Sequence, residues 1–150
     1  MLITNHVLSG AVIGAVARRP VPAFVAGVAS HFVLDAIPHW GDWRDRQHFM
    51  YVAVRDGLTG LVVMAAVTAM APPAARTAVL AGMAGAALPD LDKPSVIYFG
   101  FSPFPRAVNE FHSAIQDEAQ GRAHVEAGAA LVFGLTTLAL LRAHARRARG

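Results

Sequence analysis

The stretch Ser30-His31-Phe32-Val33-Leu34-Asp35-Ala36-Ile37-Pro38-His39-Trp40 decides how the chain is read. It begins inside an apolar run, carries two imidazoles and a carboxylate at intervals of four, and stops at a proline. Four residues of helix make one turn plus about 40°, so His31 and Asp35 share a face. If the last turn keeps its course through Pro38, His39 joins them. Two imidazoles and a carboxylate on one stripe are typical ligands of a divalent transition metal. The plainer alternative is a helix end with incidental polar residues, and the rest of the chain has to choose between them.

A chain of 150 residues makes one domain. Hydrophobic residues account for 55% and charged residues for only 15%, against about 25% in an average globular protein. The mean hydropathy is +0.43. There is no cysteine, so a disulfide framework and a thiolate metal site are both excluded, and any ion must be held by His, Asp or Glu. The formal charge of +3 is no nucleic-acid signal, because four basic residues, Arg142, Arg146, Arg147 and Arg149, crowd the C-terminal end. The others form no basic stripe interleaved with aromatics, so a nucleic-acid partner is not expected. Apolar residues start at once and the first positive charges follow them, the reverse of a signal peptide.

Five apolar segments follow: Leu2–Ala17, Val21–Ile37, Val52 or Gly57–Ala71, Arg76–Leu88 and Val125–Leu141. None alternates as a half-buried strand does, and their Ala and Leu content favours helix. The expected fold is therefore all-α, a multi-pass membrane bundle of about five short helices with a metal site at one face. Residues 1–141 form the helical membrane domain and 142–150 a basic tail. Gly10 and Gly14, and Gly82 with Ala86, would let backbones approach closely. At an offset of 55, Ala26, Gly27, Ala29 and Asp35 match Ala81, Gly82, Ala84 and Asp90, which hints at a duplicated helical hairpin. The segments are short for a bilayer, where about 20 residues is usual, and a soluble bundle is the alternative.

Tracing the segments across a membrane leaves seven basic residues on the side of the Arg18-Arg19 turn and six on the other. The positive-inside rule then places the Arg18-Arg19 turn and the C-terminal tail in the cytoplasm and the protein in the inner (plasma) membrane. His6, His31, Asp35, His39, Asp56, Asp90, Asp92, His112, His124 and Glu126 collect on the opposite side, where ionisable residues beside apolar helices are costly and usually functional. Most aromatics gather there too, including Trp40, Trp43 and the run Tyr98 to Phe104, as an interfacial belt or a lip that guides substrate. Pro89 closes the fourth segment. If the chain is extended after it, Asp90 and Asp92 point the same way and repel unless a cation lies between them or one takes up a proton. Asp56 reads as a cap or an ion-pair partner, and His48, His124 and Glu126 as weaker candidates. No serine has an activating partner in a known nucleophile pattern.

Together His6, His31, Asp35, His39, Asp90, Asp92 and His112 exceed what one ion needs, so the reading is a divalent metal, zinc first, as one or two ions. Such ligand sets make hydroxide available near neutral pH, and paired metals suit phosphoester cleavage. Asp92 would be a ligand or the general base. The early His6, the Pro89-Asp90-Leu91-Asp92 pattern, His112-Ser113 and the stretch His31 to Trp40 resemble the predicted membrane-bound metal-dependent hydrolases of the YdjM type. The resemblance implies hydrolysis at a membrane surface, with lipid as partner and a lipid or other phosphoester as substrate. The pattern departs in having Thr4-Asn5-His6 where Thr-His is usual, and in lacking a His-Arg pair before His112. A more distant similarity, to zinc-dependent phospholipase C, serves as analogy for chemistry. The competing functions are a proton- or ion-coupled transporter and a non-catalytic membrane scaffold.

Overall fold

The computed structural model describes residues 1–41 and 45–147, with Arg46 by its backbone alone. Trp43, Arg44 and Arg149, which entered the belt and charge readings, lie outside the described residues. The described residues form seven α-helices: α1 (Ile3–Ala17), α2 (Pro20–Asp35), α3 (Arg46–Met70), α4 (Pro73–Ala87), α5 (Asp92–Phe99), α6 (Arg106–Ile115) and α7 (Ala123–Arg147). Two 3-10 turns, Leu88–Leu91 and Gln120–Arg122, complete them, and no strand is found among the described residues beyond one isolated bridge. The all-α expectation holds. The expected five short helices become seven, and two of these are long.

The centre is α1, α2 and α4, packed backbone to backbone. A Cβ built on Gly10 would collide with the Gly82 carbonyl, one on Gly27 with the same carbonyl, and one on Gly85 with the Phe24 carbonyl. Glycine is what permits that approach. Arg18 ends α1 in the left-handed region (φ 55°), returning its N–H to the Gly14 carbonyl, and Pro20 opens α2 at once. Beneath the cluster of polar residues, the interior is Val7, Ala11, Ala15, Val67, Ala71, Ala75, Val79, Met83 and Leu141.

α3 and α7 flank this centre. Each has 25 residues, about 37 Å at 1.5 Å per residue, enough for a hydrocarbon core of about 30 Å. Both are long and apolar enough to cross a membrane, and only 11% and 17% of their apolar windows are buried. α3 starts earlier than expected because Asp45 caps it, accepting the His48 N–H at 2.7 Å. α7 continues through Arg142, Arg146 and Arg147, so the described part of the basic tail is helical.

Three successive side chains at the start of α1 face three directions. Asp56 of α3 accepts from the backbone N–H groups of Ile3 (2.5 Å) and Thr4 (3.3 Å) and from the Thr4 hydroxyl (2.5 Å). It caps α1 from a neighbouring helix, supplying negative charge where the helix dipole favours it. Asn5 donates to the Glu126 carboxylate at 2.6 Å and tethers α7. His6 turns inward. At the far end His144 Nε2 donates to the Ala15 carbonyl at 2.9 Å, so α7 is pinned to α1 at both ends.

Candidate metal centre

The helix register brings His31 and Asp35 to one face, with the His31 Nε2 3.1 Å from Asp35 Oδ2. α2 then stops at Asp35, one turn short of His39. This alters the expectation for His39: the chain bends away, and His39 exchanges backbone hydrogen bonds with Asp117 and Ala119. Its Nδ1 donates to the Ile37 carbonyl at 2.7 Å and its Nε2 lies 3.4 Å from Glu118 Oε1. Burial works against the charged imidazole, but Glu118, the Ile37 carbonyl and Asp35 together outweigh it and raise the His39 pKa. His39 braces the loop beside the cluster and is in none of the ligand-capable groups.

Six of the seven proposed ligands do come together. His6 Nε2 stands 3.0 Å from Asp35 Oδ1, and its ring stacks on His31 with centroids 4.0 Å apart. α6 brings His112 over the same carboxylate, with Nε2 2.8 Å from Asp35 Oδ2 and 3.0 Å from His31 Nε2. Asp90 Oδ1 is 3.9 Å from both of those imidazole nitrogens. Three overlapping sets, His6-His31-Asp90, His31-Asp35-His112 and Asp90-Asp92-His112, each place three potential ligand atoms within 4.8 Å of one another. These buried His and Asp groups could hold a metal ion.

Asp90 and Asp92 meet the cluster by a different route from the extended one expected. Pro89 starts a 3-10 turn instead of breaking the chain, and the turn runs directly into α5. Tight helical winding, with Pro tolerated at an N-terminal position, carries both carboxylates to the site. Lys93 Nζ donates to Asp90 Oδ1 at 2.6 Å. Burial disfavours the charge on each, yet their mutual attraction prevails with the help of His6 and His31 around Asp90 and of Asp35 and Asp92 around Lys93, lowering the Asp90 pKa and raising that of Lys93.

Two observations test whether a metal suits these residues. First, His31 Nδ1 lies 2.8 Å from the Ala86 carbonyl, which only accepts, so Nδ1 carries the proton. In the neutral ring Nε2 then presents a lone pair toward Asp35, an arrangement that repels unless a proton or a metal ion intervenes. A carbonyl that accepts from the far ring nitrogen and fixes the tautomer is the usual setting of a metal-binding histidine. Second, Nδ1 of His6 and Oδ1 of Asp92 are buried without a hydrogen-bond partner among the described residues. Buried polar atoms rarely go unpaired without a reason such as an ion. The donor set fits a metal ion.

Several contributors were not anticipated. Gln116 donates to Asp35 Oδ2 at 2.8 Å, and the Met1 amino nitrogen lies 2.7 Å from Asp35 Oδ1. Phe32 walls the site edge-on to His31 and His112, and Phe111 lies tilted against Phe32. The only advance signal for α6 was the spacing of Val108, Phe111, His112 and Ile115 at three and four residues. Comparisons with family models, curated proteins and solved structures returned no match.

Proposed function

We propose that the protein is a multi-pass inner-membrane, metal-dependent hydrolase that cleaves a phosphoester, a lipid one foremost, at the non-cytoplasmic face. The observation that carries this reading is the convergence of His6, His31 and His112 Nε2 on Asp35 and Asp90. His6, His31, Asp35, Asp90 and His112 would hold one or two zinc ions, with Asp92 a further ligand or the base. A divalent ion so held supplies Lewis acidity and makes hydroxide available near neutral pH.

The chain's own residues account for the remaining needs of hydrolysis. Asp92 Oδ1, buried and free of hydrogen bonds among the described residues, is suited to take a proton from attacking water. Lys93 offers a cation to an anionic ester, beside a cluster otherwise rich in carboxylate. Phe32 and Phe111 shield His31 and His112 on the α6 side and limit water there. The exposed apolar faces of α3 and α7 support placement in a bilayer. The interior below the cluster is apolar, which favours a site at one face over a polar relay through the bundle.

The test is hydrolysis of a soluble phosphodiester, bis(p-nitrophenyl) phosphate, and of phosphatidic acid by purified protein. Chelation should abolish turnover and zinc should restore it, and Asp92→Asn should lower kcat by about two orders of magnitude. Turnover that survives both chelation and Asp92→Asn would overturn the reading.

A further inference from the structure

Alongside the His/Asp cluster lies a cavity of about 430 Å³ whose apolar part the chemistry above does not use. Its walls come from the start of α1, the middle of α3 and the first two turns of α5. The lining is mostly apolar, and Asp90 belongs both to this cavity and to the cluster. Lys93, next to it, is the one cationic side chain among the described lining residues. The other two carboxylates in the wall are engaged, Asp56 in capping α1 and Glu118 with His39. On its outer side Val54, Leu58, Leu61, Leu91 and Tyr98 are exposed, so the cavity opens onto the apolar surface of α3.

Gly57 sharpens the picture. Glycine inside a helix is disfavoured, yet Gly57 lies mid-way along α3, lines the cavity, and a Cβ there would meet nothing within 4 Å. No close backbone packing requires it. What it contributes is space in the wall.

We propose that this cavity seats one acyl chain of a phosphate-bearing lipid, entering sideways from the bilayer, with its phosphate at Lys93 and the adjoining cluster. The size is in the range of small-molecule sites, about 300–1,000 Å³, and such sites combine apolar walls with a few convergent polar groups. A soluble phosphoester would use only the Lys93 end. A lipid uses both, and the opening on the apolar α3 surface gives its chain a path that never crosses water. The phosphate contact rests on the hydrolase reading, whereas the seating of the chain does not.

Binding of 1-oleoyl lysophosphatidic acid to the full chain in nanodiscs, beside glycerol 3-phosphate as the head group alone, provides the test. Lysophosphatidic acid should bind at least about tenfold tighter than glycerol 3-phosphate, and Gly57→Phe should remove about tenfold of that affinity. Lys93→Gln should weaken both ligands. Equal affinity of wild type and Gly57→Phe for lysophosphatidic acid would overturn the proposal. A lysophosphatidic acid carrying a mid-chain diazirine gives a second readout on the unmodified chain. Labelling of α3 and α5 supports the seating, and labelling confined to other helices contradicts it. The two readings fail separately: if the metal reading were wrong, Asp35→Ala would keep the metal content of the wild type, while chain labelling on α3 and α5 would be unaffected.

Discussion

Asp35 is where the residue-level argument concentrates. Its two oxygens lie within 3.1 Å of three imidazole nitrogens, one amide and one amine, and the residue is almost fully buried. Its pairing with His31 was legible because helical periodicity is local and survives without knowledge of packing. His39 was grouped wrongly for the same local reason: periodicity does not reveal that α2 stops at Asp35 and that residues 117–119 capture the loop. Gln116 left no mark at all, since an amide in a polar loop has no distinctive spacing. The His39–Glu118 pair makes a prediction of its own. Because the folded-state pKa of His39 is raised, its contribution is fully present below the unfolded value of about 6.5 and is lost as pH rises through the folded value. Amide exchange at Ala119 in metal-free protein should therefore speed up on going from pH 6 to pH 9, beyond the intrinsic rate, and His39→Gln should remove that excess. An equal excess in His39→Gln would show that another group is responsible.

Among the elements, the helices differ in how readable they are. α1, α2 and α4 were visible as apolar runs bounded by Arg, Pro and Asp, and Gly10, Gly14 and Gly82 announced close contact. α5 and α6 were hidden, because their sequences are polar or mixed and the Gly100–Pro105 stretch between them reads as continuous loop. The glycines give two contrasting predictions. Gly10→Leu would drive a side chain into the Gly82 carbonyl and should cost at least about 3 kcal/mol, read as a fall in thermal unfolding temperature. Gly57→Leu, facing open space on a helix that favours Leu over Gly, should leave that temperature unchanged or raise it. Comparable losses in both variants would mean that α1 and α4 do not approach as closely as described. At the α1–α7 junction, Asn5→Ala strips the buried Glu126 carboxylate of its 2.6 Å donor, which should destabilise the bundle by about 1–3 kcal/mol.

For the whole molecule, the segregation of ionisable residues to one end was visible in sequence, since it depends only on counting which turn each residue lies beside. The convergence of six of those residues on one point was not, because it depends on how α4, α5 and α6 fold over the ends of α1 and α2. Nor could composition show that α3 and α7 leave their apolar faces uncovered, or that a cavity opens between α3 and α5. The central claim is that the buried cluster at this end is a metal centre. Elemental analysis of the full-length protein beside Asp35→Ala and His31→Ala tests it most directly. Wild type should carry at least about one equivalent of zinc or another divalent transition metal, and each variant should lose most of it, since a disturbed metal shell lowers affinity by about 10–100-fold. Equal metal content in all three proteins, or none in the wild type after growth with zinc, would contradict the account.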